Sequence, residues 1–404
     1  MMIYDVIIIG GGAAGLFCGA SYKEKVNGLI LEKTKSVGKK LLMSGGGQCN
    51  LTHGGDIKNF LTHYGDNGKK IRNVLYKFNN KCVCDFFKNK GIEILEREDG
   101  KIFPRSLQAK DVLEVLRRET LNNGFDIKLD MSVDKVEFAS DIYEITCNEG
   151  KNKTCYKTRK IIIGTGGCSY PTTGSDGSML KVLEDMGIEI IRPKPALVPV
   201  FVQDYPYSEL SGISISPAKI KLGKFECQDD LLFTHKNFSG PVIINSSRFI
   251  DTGKNLLINY FPGKTFQEIF SELKKKVTKN SKQTNVFLLE YMENTLPKRF
   301  IDVICKRANI VETRKVSTLT GNELKRIAEL LTMDSFSVSG TGGFNTAMAT
   351  AGGVALSEIN LKNMECKKYP GLFFIGEVVD IDGDTGGYNL QFAFSSGYLA
   401  GNME

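Results

Sequence analysis

Metal-ligating residues are scarce in this chain, and its cysteines are not paired. Its 404 residues include three histidines, His53, His63 and His235, which leaves little material for an imidazole metal centre. None of its ten cysteines forms a C-x-x-C pair, and the Cys82/Cys84 spacing suits neither a zinc knuckle nor a thioredoxin-type motif. Free thiols in a reducing compartment are expected. No stretch reaches the ~18 apolar residues of a membrane span. The first apolar run follows Asp5, lacks a basic flank and breaks at glycine after Ile9, so it reads as a buried strand and not a leader peptide. These absences predict a cytoplasmic globular protein with no metal, no disulfide framework and no membrane partner. Net charge, at +7, is modest for the length. The densest basic stretch, Lys274-Lys275-Lys276 with Lys279 and Lys282, reads as a solvated helix face and its exit loop, which disfavours a nucleic-acid partner.

The opening of the chain is informative. Val6-Ile7-Ile8-Ile9 leads into Gly10-Gly11-Gly12-Ala13-Ala14-Gly15, a helix-like stretch follows, and Leu29-Ile30-Leu31 stops at Glu32. This is a βαβ unit with a dinucleotide fingerprint. Gly10 permits the tight turn, Gly12 lets the backbone approach a pyrophosphate, and Gly15 lets the helix sit close to the sheet. The helix N-terminus offers free N–H groups to the phosphates. Glu32, 20 positions past Gly12, can accept hydrogen bonds from a ribose diol.

A glycine-rich loop, Ser44-Gly45-Gly46-Gly47-Gln48-Cys49-Asn50, follows the first βαβ unit, and two more follow apolar strands: Gly164-Thr165-Gly166-Gly167 after Ile161-Ile162-Ile163, and Gly376-Glu377 after Leu372-Phe373-Phe374-Ile375. Between them, helical spacing is read from Ile71 to Phe87 and after Ser106, with Val112, Leu113, Leu116 and Leu121 inward, and a hairpin around Asp99-Gly100. Arg192-Pro193-Lys194-Pro195 reads as a boundary, since close prolines deny helix and central strand. The expected architecture is α/β: a discontinuous glutathione-reductase-type, Rossmann-like FAD-binding domain (1–192 and 341–404) with an inserted α+β substrate or cap domain at 193–340. That insert divides into a β-rich part (193–262, with strands at Leu197–Val202, Ile213–Leu222 and Val242–Ile244) and a helical part (263–333).

The C-terminal segment separates FAD from NAD. Ile375-Gly376-Glu377-Val378-Val379-Asp380, then Gly386-Gly387-Tyr388-Asn389-Leu390-Gln391 and a long helix, has the form of a flavoprotein return segment whose helix dipole meets the flavin pyrimidine edge. Together with KLLMSGGGQCNLT (40–52), FPRSLQAKDV (103–112), GTGGCSYPTTG (164–174), LFTHKNFSGPVIINSS (232–247) and GGVALSE (352–358), these residues resemble the BaiN-like flavoproteins, also described as the aminoacetone oxidase family. The resemblance spans nearly the whole chain. It implies tightly bound, non-covalent FAD on Gly10, Gly12, Ala13, Ala14, Gly15, Glu32, Lys33, Lys40, Ser44, Gly45, Gly46, Gly47, Cys49, Asn50, Val133, Thr165, Gly166, Gly167, Gly376, Glu377, Asp380, Gly387, Tyr388, Asn389 and Leu390. Two positions depart from the family pattern: Gln48 replaces an arginine and so removes a positive charge, and Cys366 replaces a serine.

FAD carries hydride at N5, so the protein must position a small-molecule substrate and manage protons. Tyr170 is the first proton-transfer candidate, beside an equal reading in which it only packs on the cofactor; His235 is the second, and His53 a weaker one. Tyr388 and Asn389 read as flavin-holding. Cys49 and Cys168 stand alone, which disfavours thiol catalysis. No second strand–Gly-x-Gly-x-x-Gly–helix unit is present for a resident nicotinamide, so NAD(P)H is expected as a transient donor. The resemblance implies an NAD(P)H-linked reductase of an activated C=C in an enone, bile-acid-like substrate, or alternatively an aminoacetone-like amine oxidase that produces peroxide. A flavin-bearing RNA-binding or RNA-modifying protein is the third reading. Oligomeric state is left open.

Overall fold

A computed structural model describes residues 2–402 other than 151, 279 and 294. Its chain divides into two compact units, Met1–Ala196 with Phe344–Glu404, and Leu197–Gly343. Each has its own apolar core.

The first unit is built on β1 (Ile3–Ile9), α1 (Ala13–Ser21) and β2 (Gly28–Leu31). Val6 to Ile9 are buried on both faces, as expected of the centre of a parallel sheet. Gly28 must be glycine because a Cβ there would sit 2.4 Å from the Phe125 ring. Helix α2 (Ala109–Asn122) leads into β3 (Phe125–Lys128), which extends the sheet parallel to β2. A long strand β4 (Asn152–Ile163) lies on the other side of β1, also parallel. An antiparallel hairpin, Ser132–Ala139 with Ile142–Glu149, branches from β4. The helical spacing expected from Ile71 to Phe87 resolves into two helices, Arg72–Lys77 and Asn80–Asn89. The break is at Asn79, whose side chain accepts from the Lys81 and Cys82 N–H groups and caps the second helix. Leu121, expected inward, is 44% exposed on the last turn of α2.

Both prolines of Arg192–Pro195 lie inside a strand, β5 (Ile190–Ala196). This corrects their reading as a break. β5 belongs to a two-stranded sheet and its register shifts between Ile191 and Lys194, an edge with a bulge being where a missing N–H is tolerated. The unit boundary accordingly falls after Ala196 and not at 192/193.

The second unit is a closed six-stranded barrel with a helical excursion. Its strands are β6 (Val200–Val202), β7 (Ser214–Leu222), β8 (Phe225–Phe233), β9 (Phe238–Ser239), β10 (Asn255–Asn259) and β11 (Asp334–Thr341), paired in the order β6-β9-β8-β7-β10-β11 and closed by β11 on β6. Between β10 and β11 run α3 (Phe266–Lys276), α4 (Thr284–Tyr291), α5 (Lys298–Arg307) and α6 (Gly321–Thr332). Val242–Ile244, expected as a strand, lies in a short helix that begins at Pro241, with proline at its first position. Leu197 has φ +53° and stands outside β6. Gly340 and Thr341 belong to β11, which shifts the far boundary from 340/341 to Gly343/Phe344.

The return segment adds β12 (Ala349–Val354) to β5 and β13 (Leu372–Phe374) parallel to β4, then ends in α7 (Tyr388–Asn402). Among the described residues, no helix is long and apolar enough to cross a membrane.

Candidate functional site

The turn from β1 into α1 gives each glycine a separate duty. Gly10 has φ +105°, and a Cβ there would lie 2.5 Å from the Gly164 carbonyl oxygen. A Cβ on Gly15 would lie 2.0 Å from the Gly10 oxygen, so only glycine brings helix and strand this close. Gly12 differs: a Cβ there would have its nearest neighbour at 4.0 Å. The open ground over Gly12 faces the start of α1, which has no side-chain cap and no acidic residue in its first turn. Ala13 and Ala14 begin that turn with small side chains. Uncapped N–H groups and a positive dipole end suit a pyrophosphate.

Glu32 closes β2 as a buried carboxylate. Its Oε2 accepts from Gly11 N at 2.8 Å and its Oε1 from Thr34 N at 2.8 Å, so it braces the glycine turn. The Met131 N–H donates to the Glu32 carbonyl, which brings the strand carrying Val133 alongside. Lys33 pairs with Asp176 at 2.5 Å. Burial would raise the Asp176 carboxyl, but hydrogen bonds from Lys33 and Ser178 outweigh it and hold it below the ordinary carboxylate range.

The Ser44–Asn50 loop is held open by positive φ at Gly45, Gly46 and Gly47, at +57°, +67° and +88°. Ser44 Oγ donates to the Leu41 carbonyl. Cys49 is buried, and burial pushes its thiol up to about 12, which makes it a poor nucleophile. Cys168 is likewise raised, by burial first and then by the Glu377 and Asp176 charges. Gln48 Oε1 accepts from Arg97 Nη2 at 2.6 Å, and that guanidinium lies 4.1 Å over the Phe103 ring. Arg97 thus brings a cation to the loop that lacks arginine at position 48. Two buried polar atoms in these loops, Asn50 Oδ1 and Thr165 Oγ1, have no hydrogen-bond partner within the protein. Buried polar atoms of this kind call for a ligand or water.

Lys40, Ser169, Thr350 and Glu377 form one network. Lys40 Nζ lies 2.5 Å from Glu377 Oε2 and donates to Ser169 Oγ. Ser169 Oγ donates to Glu377 Oε1 at 2.5 Å, which also accepts from Thr350 N at 2.8 Å. Thr350 Oγ1 accepts from the Cys168 and Ser169 N–H groups. Burial works to raise the Glu377 carboxyl, but the Lys40 charge and the hydrogen bonds from Lys40, Ser169 and Thr350 prevail and lower it. Gly166 has φ +77°, and a Cβ on Gly167 would lie 2.5 Å from Thr350. The sequence singled out Lys40, Glu377 and the glycines as site residues, but neither Ser169, which lies within the GTGGCSYPTTG stretch, nor Thr350, which lies outside every quoted motif.

The return loop is equally tied. Gly376 has φ +66° and donates to Ser396 Oγ. Asp380 is raised by burial and receives Asn67 Nδ2. A Cβ on Gly387 would meet the Thr52 backbone at 2.6 Å. Tyr388, buried at the start of α7, lies nearly parallel to the His63 ring at 4.1 Å and to the His53 ring at 5.4 Å. His63 Nδ1 is 3.0 Å from Asp384 Oδ2. Asn389 exchanges both groups of its amide with the Gly383 backbone, at 2.8 Å each, so it shapes the loop. Leu390 is half-buried one position later. Gln391, also missed, is fully buried between Thr52 and the Phe78 carbonyl.

Tyr170 has φ +51°. Its N–H donates to the Phe344 carbonyl and its own carbonyl accepts from Thr173. His235 is exposed in the Thr234–Asn237 turn of the second unit, closed by Thr234. No group of three or more metal-ligating side chains occurs among the described residues.

A pyrophosphate-ready helix start, a carboxylate at the end of β2, orphaned polar atoms in the glycine loops and a return segment packed on α1 fit FAD, and define an FAD-dependent oxidoreductase of the Rossmann type. Residues 4–403 match the family described as HI0933-like protein Rossmann domain, and the chain belongs to that family, as its resemblance to BaiN-like flavoproteins led us to expect. It is 31% identical over 97% of its length, and 96% of the relative's, to a ribosomal RNA dihydrouridine synthase of Haemophilus influenzae. It is 28% identical over 98% of its length, and 97% of the relative's, to a 3-dehydro-bile acid delta(4,6)-reductase of Clostridium scindens. Among solved structures, a 3-ketosteroid-delta4-(5alpha)-dehydrogenase of Rhodococcus jostii shares the fold, with a TM-score of 0.52, 14% identity and coverage of 99% of this chain and 97% of that one.

Proposed function

We propose that the protein reduces a carbon–carbon double bond conjugated to a carbonyl, and that its substrate is the uracil ring of a uridine in ribosomal RNA. The observation that carries this reading is the shared chemistry of two full-length relatives. One makes dihydrouridine and the other is a delta(4,6)-reductase of a 3-dehydro-bile acid. In uridine, C5=C6 is conjugated to the C4 carbonyl; in a 3-dehydro steroid the ring double bonds are conjugated to the C3 carbonyl. Both accept hydride at the carbon remote from the carbonyl and a proton at the carbon beside it. The higher identity of the RNA-acting relative favours uridine. A steroid-like enone is the second reading, favoured by the bile-acid relative.

When bound, FAD supplies the hydride from N5, and NAD(P)H as a visiting donor replenishes it. The chain's own residues do the rest. The start of α1 and Glu32 hold the dinucleotide; the Lys40–Glu377 network fixes the loop that carries Tyr170. Tyr170 donates the proton to the substrate, with His235 as the second candidate. The Tyr170 phenol is half-buried and, among the described residues, has no hydrogen-bond partner to compete for its proton.

The test is anaerobic. Purified protein is titrated with NADH and NADPH while its flavin absorbance is followed, and the bleached enzyme is mixed with ribosomal RNA from a strain lacking the gene, or with a steroid enone. Reoxidation by RNA with appearance of dihydrouridine by mass spectrometry is expected. Reoxidation by the enone alone would favour the second reading. Flavin reduced by small amines, with peroxide released in air, would overturn both.

A further inference from the structure

Helices α3 and α4 of the second unit carry a surface of half-exposed aromatic rings and exposed lysines. Phe266 and Phe270 stand one turn apart on α3, both half-exposed, with rings stacked at 5.8 Å and 11°. Lys274 continues the same stripe, its Nζ 5.2 Å from the Phe270 centroid. Beside it, Tyr291 of α4 is flanked by Lys264 at 5.2 Å and Lys276 at 5.0 Å.

The two acids of α3 are already engaged. Glu268 closes the capping box with Thr265, and Glu272 accepts from Lys264 and Tyr291. Lys274, Lys275 and Lys276 are exposed, and among the described residues none of them forms an ion pair. Lys279, which extends this stretch in the sequence, lies outside the described residues. Cations in a last helical turn complement the helix dipole. That accounts for the charge, and not for half-exposed parallel rings beside it. Exposed lysines beside half-exposed aromatic rings are what a single-stranded nucleic acid can use: phosphates on the lysines, bases on the exposed parts of the rings.

We propose that the Phe266–Phe270–Tyr291 face with Lys274, Lys275 and Lys276 is a platform for single-stranded RNA. The proposal rests on the uridine reading, to which it adds the surface that holds the substrate's strand.

Binding of a fluorescein-labelled single-stranded oligoribonucleotide, followed by anisotropy across a salt series, tests it. In K274A/K275A/K276A the affinity falls at least tenfold, and the slope of log affinity against log salt drops by about 2, as three lost phosphate contacts require. Phe270→Leu, which keeps the apolar volume, weakens binding roughly tenfold with the slope unchanged. Flavin absorbance per chain and the thermal midpoint verify folding of each variant. The proposal is overturned if wild-type protein leaves the oligonucleotide free at low salt, if the triple variant binds as wild type does, or if K23A/K25A/K110A weakens binding equally. Displacement by polyglutamate as readily as by RNA would also overturn it, by exposing a general polyanion surface. Dihydrouridine in ribosomal RNA is measured separately, so failure of the platform and failure of the uridine reading are distinct results.

Discussion

Lys40 and Glu377, separated by 337 positions in the chain, meet at 2.5 Å, with Ser169 Oγ hydrogen-bonded to both. Lys40 stands in the short helix Lys39–Met43 and Glu377 in the turn that follows β13, so their pairing ties these two segments together. Removing either partner leaves the other partly buried without its counter-charge. Lys40→Ala is expected to destabilise the protein by about 1–3 kcal/mol and to weaken flavin retention, read by denaturant titration and by flavin absorbance after gel filtration.

The same pair has an acid signature. The Glu377 carboxyl is held below its ordinary value, so the folded protein binds fewer protons there than the unfolded chain does. Its stabilisation is complete above about pH 5 and is lost as pH falls through the folded pKa. Unfolding midpoints measured from neutral pH downward should fall less steeply in Glu377→Gln than in wild type. Identical slopes would mean that this carboxylate does not contribute.

The glycines of the first turn separate fold from function. Gly15→Ala forces a Cβ to 2.0 Å from the Gly10 oxygen and should cost more than about 3 kcal/mol. Gly12→Ala meets nothing closer than 4.0 Å within the protein and should leave its apo stability within about 1 kcal/mol. If the open ground over Gly12 receives the pyrophosphate, the added methyl group obstructs it and FAD affinity falls. Calorimetry of apo protein with FAD titration distinguishes the two variants; loss of apo stability in Gly12→Ala would refute the division of roles.

Much of this arrangement was legible because it is local. The strand, glycine turn, helix and Glu32 of the first βαβ unit lie within about 30 residues, a length over which residue order fixes geometry. Two other features misled. Val242–Ile244 is a three-residue apolar run, too short for periodicity to separate helix from strand, and Pro241 decides it. Pro193 and Pro195 were read by the central-strand rule, yet they sit on an edge. The contacts of Ser169, Thr350 and Gln391 join segments about 180 to 340 positions apart, and no spacing rule reaches so far. Closure of the barrel was hidden for the same reason: β11 follows four helices before it pairs with β6.

That closure depends on a buried charge. Arg307 of α5 grips Asp334 of β11 through two nitrogens, and Asp334 Oδ2 also accepts from Tyr207 at 2.5 Å and Tyr260 at 2.9 Å. Both phenols are pushed well above their ordinary range, by burial first and then by the Asp334 charge, so they remain donors. Arg307→Met strands the carboxylate and should destabilise the second unit by about 3–5 kcal/mol. Arg307→Lys cannot restore the two-nitrogen grip and should recover less than half of the loss. Hydrogen exchange of β11 amides reads the effect within this unit.

Tyr170 is held at φ +51°, where a non-glycine residue is strained, by the bond of its N–H to Phe344 and the closing bonds from Thr173. Strain of this kind is retained when surrounding structure over-determines it, and it is common at functional loops. The backbone bonds do not involve the phenol, so Tyr170→Phe should keep the loop and the bound flavin. If the phenol donates the proton, transfer to the double bond slows by roughly 100-fold, visible as slow reoxidation of pre-reduced enzyme by substrate. A packing role predicts instead that flavin is lost while turnover per bound flavin is kept. With flavin retained and reoxidation unchanged, the proton would have to come from elsewhere, and His235→Gln would be the next variant to mix with substrate.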